Sequence, residues 1–438
     1  MSDKNYRDDS KSSRLFLCIR ILSIGLLLHF VIFTFLEFRV WFSSSVLQLR
    51  KEILIVWLGV RWLYETKTYI TRDIKRRRAV WITIWLVVRS GLTTVLNNWT
   101  IQSVIAGIKY DILWLPLLII WYMLGSRLSP HWIKKITSWW IWVVKWMICL
   151  SLVWFVVLII KPWVLNRLWY STASYDWKIG MKPPAVYFTA FNHGSPRNQF
   201  VFERPITYWF WLLFRWPLFY FSVLHRRRLY DTRWRRVFYS LAMLSTISRA
   251  AWWARFVQLI IIWLISYRDD RRKFLIKFVA PLVSITWIIV IFWYYYIFWW
   301  GRQFSDTWHV NSLKQARSMT LSSPIIGLGA WSAWPASFQS PEHPDFNPEN
   351  QYFQILVSYW LIGFIPWMIA YCYITTVWLS TYSRNKKVLV SMSLGMVGLS
   401  IAWLVLHPFV DRMIVYRAMI FYGMRLGNYH YHWTWTTS

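Results

Sequence analysis

The sequence changes from a polar loop to an apolar helix along 345-DFNPENQYFQILVSYWLIG-363. The first six residues carry two carboxylates and two side-chain amides, and the rest is mostly apolar. In a chain this hydrophobic, such a junction is where a membrane helix meets water. We therefore expect it to form one wall of a functional site, with Glu349 and Asn350 as its most informative residues.

The whole composition is that of a membrane protein. Of 438 residues, 57% are hydrophobic and 21% are aromatic, so a soluble globular class is excluded. Apolar runs recur along the whole chain, and its length corresponds to roughly a dozen spans of about 20 residues. The sequence predicts an all-α polytopic membrane protein with about 12 transmembrane helices and a large outer loop before the tenth span.

Lysine and arginine runs mark the cytoplasmic side, because positive charge is retained there. The predicted spans between these runs lie at about 15–38, 46–66, 79–97, 104–125, 138–160, 205–224, 235–247, 251–267, 274–300, 352–379, 388–407 and 410–427. Both termini are then cytoplasmic. The predicted divisions are a tail at 1–13, transmembrane helices at 14–160, a core at 161–379 that includes the outer loop 301–350, and C-terminal helices and tail at 380–438.

The net charge of +32 is scattered between apolar runs rather than gathered on one soluble face. This distribution indicates that most of the positive charge marks cytoplasmic loops, and it disfavours a nucleic-acid partner. A few outward arginines remain as candidates for binding an anionic substrate such as a lipid pyrophosphate. The three cysteines lie in apolar runs without metal-ligand spacing, so we expect no metal and no cofactor.

Glu349 has two interpretations. It either caps the following helix, where the macrodipole favours an acid, or it accepts a hydroxyl proton as a general base. In the second interpretation Asn350 and Gln351 orient an acceptor sugar. His309 precedes them in the predicted outer loop; it is either structural or a substrate contact, and a lone histidine is a poor metal site.

Three outward arginines are candidates for binding phosphate oxygens, which arginine grips with a fork of donors. Arg197 and Arg204 approach the outer mouth of the sixth span, where the alternative is interfacial snorkelling. Arg249 lies at the tip of a predicted hairpin, where it either caps a helix end or sits over a leaving pyrophosphate.

Four segments in chain order carry a resemblance: 195-SPRNQFVFERP-205, 244-LSTISRAAW-252, 321-LSSPIIGLG-329 and 349-ENQYFQILVSYWLIG-363. They resemble four segments of the O-antigen ligase and O-antigen polymerase family of bacterial membrane glycosyltransferases. In order, these are an arginine-bearing segment, a Ser-Arg signature, a Pro-x-x-Gly-x-Gly loop entry and the helix after the loop. Ligases of that family usually carry histidine where this chain has Glu349, so a polymerase or a protein-glycan transferase is favoured over a ligase.

The resemblance implies a reaction and its partners. A glycan on undecaprenyl pyrophosphate is transferred, with inversion and without metal, on the outer face of the bacterial cytoplasmic membrane. The acceptor is a glycan, a lipid or a protein, and the product enters cell-surface polysaccharide. Arg197, Arg204 and Arg249 would bind the pyrophosphate, and Glu349 would be the base. The alternative is a lipid-linked glycan flippase or exporter without covalent chemistry.

The chain has 37 tryptophans and only 15 glycines, although glycine averages about 7% of residues. Several tryptophans stand where the resemblance leads us to expect glycine, among them Trp308, Trp331, Trp334 and Trp360. Glycine to tryptophan is poorly tolerated where membrane helices pack closely. Our hypothesis is that UGA codons read as glycine by the organism have been translated as tryptophan.

Overall fold

The computed structural model describes residues 81, 84–90, 92–93, 96, 108–126, 128–161, 164, 197–200, 202, 205–224, 229–246, 248–266, 303–329, 332–333, 346–376, 387–404 and 412–433. All regular structure in these residues is helical, as the sequence predicts. The first two predicted spans, the ninth span, most of 330–345, and Arg204 lie outside the described residues.

The defined helices are a π-helical turn at Ile108–Ile112 and α1 (Trp114–Gly125), α2 (Pro130–Ile160), α3 (Pro205–Leu224), α4 (Leu229–Ser245), α5 (Arg249–Ser266), α6 (Gln303–Ser322), α7 (Gln351–Thr376), α8 (Lys387–Ala402) and α9 (Arg412–Trp433). The bounds of α3 are those predicted for the sixth span. Helix α2 starts earlier than the predicted 138, because Pro130 occupies its first turn and Ser129 precedes it in an extended conformation.

Helix α2 and the segment Gln351–Tyr373 of α7 are long and apolar enough to cross a membrane. Helix α2 also exposes a stripe of large apolar side chains, Trp142, Trp146, Leu150, Val153 and Ile160. Their spacing of three, four and seven residues places them on one helical face. An apolar face of this length is what a helix presents to lipid. The number of spans, twelve, stays a prediction.

The chain divides into two compact units. Unit 1 comprises Met1–Trp85, Ile112–Arg249 and Asp411–Ser438. Unit 2 comprises Leu86–Asp111 and Ala250–Val410.

In unit 1, α9 packs closely along α1. The contact depends on two glycines with the small-x-x-x-small spacing, Gly423 and Gly427. A Cβ at Gly427 would lie 1.8 Å from the Tyr122 carbonyl oxygen, and one at Gly423 would lie 2.7 Å from that of Leu118. Only glycine allows the two backbones to approach this closely, which is how membrane helices gain packing energy.

In unit 2, α7 is interrupted at Trp360, whose φ of 49° and ψ of −163° are not helical. Because of this break, N–H groups that follow it do not donate to the carbonyl oxygens of the turn before it. The carbonyl oxygens of Val357 and Ser358 instead accept hydrogen bonds from the N–H groups of Leu328 and Gly329, at 2.9 and 3.0 Å. The Pro-x-x-Gly-x-Gly segment therefore docks on the interrupted turn of α7.

Gly327 makes this docking possible. Its φ of +81° lies in the region that favours glycine. A Cβ on it would stand 2.6 Å from the Ser358 carbonyl oxygen. The motif at 321–329 and the helix motif at 349–363 thus form one backbone assembly within unit 2.

A buried carboxylate joins α7 to the π-helical turn. Asp111 accepts a hydrogen bond at Oδ1 from Gln354 Nε2 (3.0 Å) and another at Oδ2 from the Tyr359 hydroxyl (2.7 Å). Its backbone oxygen accepts a third from Trp367 Nε1 at 3.1 Å. The Tyr359 hydroxyl also lies 3.1 Å from Ser90 Oγ. One residue thereby holds three successive parts of α7, including the residue before the break.

Candidate active site

Glu349 and His309 meet at the entrance to α7. The Glu349 N–H donates to Asn347 Oδ1 at 3.0 Å, and the φ of Glu349 is +47°. This turn, closed by an asparagine side chain, keeps the glutamate in front of the helix. His309 lies on α6, and its Nδ1 contacts Glu349 Oε2.

Helix α6 packs against α7, and this packing determines where His309 stands. An apolar cluster that joins α6, α7 and residues between them consists of Ala316, Ala333, Phe346 and Val357, with Met319, Leu328 and Phe353 packed against it. The His309 side chain is 37% exposed and that of Glu349 is 15% exposed. A carboxylate and an imidazole in contact at a partly open position are suited to taking a proton from an incoming hydroxyl.

Asn350 is the N-cap of α7. Its Oδ1 accepts hydrogen bonds from the N–H groups of Tyr352 (2.9 Å) and Phe353 (3.1 Å), the pattern expected of a capping asparagine. Its Nδ2 donates to the Leu404 carbonyl oxygen at 2.9 Å. The interpretation of Glu349 as the cap is therefore wrong by one residue, because the turn at Asn347 ends with Glu349 outside the helix.

Asn350→Ala is expected to lower the free energy of unfolding by about 1 kcal/mol, because two helix N–H groups lose their acceptor. Asn350→Asp is the matched control, since it keeps the capping oxygens and loses the donor to Leu404. Thermal midpoints in detergent measure both variants. A midpoint for Asn350→Ala equal to that of the wild type contradicts the capping role. A loss of glycan transfer in a stable Asn350→Asp protein supports the predicted contact with an acceptor sugar.

Gln351 starts the helix and points into unit 2. Its N–H donates to the Trp403 carbonyl oxygen at 3.1 Å. The side chain is fully buried, and neither amide atom has a hydrogen-bond partner among the described residues. The Gln351 side chain, which is predicted to orient a sugar, therefore lies inside unit 2 rather than on its surface.

In unit 1, the Arg197 segment meets the turn that leads to Arg249. Buried Arg197 donates from Nε to the Thr246 carbonyl oxygen at 2.7 Å. Asn198 donates its N–H to the Ser245 carbonyl oxygen (3.0 Å) and its Nδ2 to Ser245 Oγ (2.9 Å). These bonds satisfy groups at the C-terminal end of α4, where carbonyls have no helical partner. Two of the four motif segments are therefore in direct contact.

The predicted site residues divide between the units. Arg197 and Arg249 belong to unit 1, and α5 begins at Arg249. The residues of unit 2 are His309, Glu349, Asn350 and Gln351.

Asp111 is an acidic residue that the motifs did not indicate. A signal for it was present, because it is a lone acid inside an apolar run predicted as the fourth span. Charged groups at such positions are costly and usually have a specific partner. The partners, Gln354 and Tyr359, lie on α7, three and eight residues after Gln351.

Comparison with known proteins gives one match. Residues 236–368 match the family model described as O-Antigen ligase. The matched range runs from α4 into α7 and includes Arg249, His309 and Glu349. No curated protein and no solved structure matches the chain. The match at residues 236–368 supports an O-antigen ligase/polymerase-like family for this chain.

Proposed function

We propose that this protein transfers or polymerises a glycan carried on a lipid pyrophosphate. The donor is undecaprenyl-linked, the acceptor is a glycan, a lipid or a protein, and the reaction takes place on the outer face of the bacterial cytoplasmic membrane. The family match supports glycan transfer in general. The observation that carries the proposal is the contact between His309 and Glu349 within the matched range.

The chemistry is a displacement at the anomeric carbon. The acceptor hydroxyl loses its proton as its oxygen forms the new glycosidic bond, and the bond to the pyrophosphate oxygen breaks. Glu349 and His309 act as one proton-accepting pair: the carboxylate stabilises the imidazolium form, and the imidazole holds the carboxylate in place. Attack opposite the leaving group inverts the anomeric configuration.

The departing pyrophosphate carries the negative charge. Arg197, Arg204 and Arg249 are the proposed partners for that charge, because guanidinium groups stabilise it as it develops. The contact of the Arg197 segment with the turn before Arg249 supports grouping these two residues. Arg204 enters the proposal from the sequence alone.

Glu349→Gln is expected to reduce glycan transfer by about 10²–10⁴-fold, because it keeps the shape of the side chain and removes the negative charge. The assay uses membranes supplied with a lipid-linked oligosaccharide and measures product on the acceptor. His309→Gln is expected to reduce glycan transfer by a similar factor. The double variant is expected to reduce it little further, because the two groups act as a unit.

Lys314→Gln is the matched control, since Lys314 is exposed on the same helix as His309. It is expected to keep the wild-type rate. Wild-type transfer by Glu349→Gln would remove this residue from the mechanism. Movement of the lipid-linked glycan across the membrane, with no covalent product from the wild type, would favour the exporter instead.

A further inference from the structure

Arg89 is the only charged residue in the apolar run predicted as the third span, 79–97. A charge at such a position is costly and usually has a specific partner. In the structure this partner is backbone. Arg89 Nη2 donates to the Ile326 carbonyl oxygen at 3.2 Å and to that of Ile325 at 3.4 Å. A charged side chain from the third predicted span therefore reaches the loop entry, 321–329.

The loop entry is thereby held from two sides. Its carbonyl oxygens at 325 and 326 accept hydrogen bonds from Arg89. Its N–H groups at Leu328 and Gly329 donate to the interrupted turn of α7. Hydrogen bonds from a charged donor are stronger than those between neutral groups. The donors and acceptors of this short segment are both engaged, so its register on α7 is fixed.

The next residue, Ser90, contacts the other partner in this docking. Its Oγ lies 3.1 Å from the hydroxyl of Tyr359, the residue before the break in α7. Two consecutive residues of the third predicted span thus hold the loop entry and the α7 turn on which it docks. Arg89, Ser90 and the residues that they contact all belong to unit 2.

The position of the loop entry affects His309 through α6. Helix α6 ends at Ser322, directly before the loop entry docks on α7. His309 lies about 20 Å back along this helix, at a rise of 1.5 Å per residue. A tilt of about 5° at the C-terminal end of α6 would therefore move His309 by roughly 2 Å. A misplacement of about 1 Å at a reacting group can cost about 10²-fold in rate.

We propose that Arg89 is a positioning residue for the proposed reaction. By holding the loop entry on α7, it keeps His309 in contact with Glu349. Arg89 acts on the backbone of the loop entry and touches neither the donor nor the acceptor. The effect on catalysis rests on the proposed function, whereas the anchoring of the loop entry does not.

Hydrogen exchange of the full-length protein in detergent tests the anchoring. Arg89→Met keeps an unbranched side chain and removes the charge and the donors. The amides of Leu328 and Gly329 are expected to exchange on the order of tenfold faster in this variant, because the segment opens more easily without its charge-assisted hydrogen bonds. Arg89→Lys, which keeps the charge, is expected to lie between the two. Unchanged exchange at both amides in Arg89→Met overturns the proposal.

Two controls separate local from general effects. Leu92→Met, at an exposed position in the same predicted span, is the matched control and is expected to exchange as the wild type does. The amides of α9 in unit 1 report general unfolding, and they are expected to keep the wild-type rate in Arg89→Met. Equal acceleration in α9 and in the loop entry would show a general loss of stability and would overturn the proposal.

Glycan transfer tests the effect on His309. Arg89→Met is expected to reduce transfer by about 10–10²-fold, and Arg89→Lys to recover part of it. In the His309→Gln background the same substitution is expected to cost little further, because the group that Arg89 positions is already absent. Two effects that multiply would overturn the positioning of His309. A wild-type protein without transfer contradicts the proposed function, and the exchange result alone then decides the anchoring.

Discussion

Asp111→Leu is expected to lower the free energy of unfolding by on the order of 3 kcal/mol, the largest loss of stability that we predict from a single side chain in unit 2. The substitution leaves two buried donors, Gln354 Nε2 and the Tyr359 hydroxyl, without their carboxylate acceptor. Each buried donor left unsatisfied costs about 1–3 kcal/mol. Part of this loss is offset, because a buried carboxylate is itself expensive. The thermal midpoint in detergent measures the result.

A double-mutant cycle identifies the cause. Tyr359→Phe removes one of the two donors, so the pair Asp111→Leu and Tyr359→Phe should cost less than the sum of the single changes. Asp111→Asn keeps one acceptor oxygen and is expected to fall between the wild type and Asp111→Leu. Gln315→Leu, at an exposed position on α6, is expected to change nothing. Additive single effects would show that the hydrogen bond to Tyr359 contributes nothing measurable.

The sequence predicts the bounds of a helix well where the helix coincides with a long apolar run. Helix α3 occupies its predicted residues, and α7 begins at Gln351, one residue before the predicted start of the tenth span. The early start of α2 was missed because its first turns, 130-PHWIKK-135, mix polar with apolar residues. Apolar content marks the part of a helix suited to lipid, whereas hydrogen bonding continues through polar turns beyond it.

The candidate site was predictable in its residues and less so in its contacts. Glu349 and His309 were separate candidates, and nothing in their spacing indicates that the packing of α6 on α7 brings them together. The Asn350 cap was missed for a local reason, since Glu349 and Asn350 both follow a proline at a polar junction. Which of the two caps the helix depends on the φ of Glu349, and a positive φ is rarely predictable for a glutamate.

Trp360→Gly is expected to raise the free energy of unfolding by about 1–3 kcal/mol. Almost every substitution of a large residue in a packed helix is destabilising, so the sign of this change is the informative part. The backbone at 360 has a φ of 49° and a ψ of −163°, close to a region that is populated almost only by glycine. Tryptophan there bears a steric cost that glycine does not.

Trp142→Gly is the matched control. Trp142 is exposed on α2 within a regular helix, where glycine is expected to lower stability by roughly 0.5–1 kcal/mol. Opposite signs for the two variants would show that the backbone at 360, rather than the loss of an aromatic ring, determines the effect. A lower midpoint for Trp360→Gly would contradict the argument from strain.

The same backbone bears on the hypothesis that UGA codons of this gene encode glycine. The break at 360 directs the carbonyls of Val357 and Ser358 to the segment that contains Gly327 and Gly329. Glycine at 360 would allow this break without steric cost, and so would keep the docking on which the loop entry depends. Mass spectrometry of the protein from its native cells tests this directly. We expect the peptide that contains residue 360 to have the mass for glycine, and a tryptophan mass there would exclude the hypothesis at the position where the backbone favours it most.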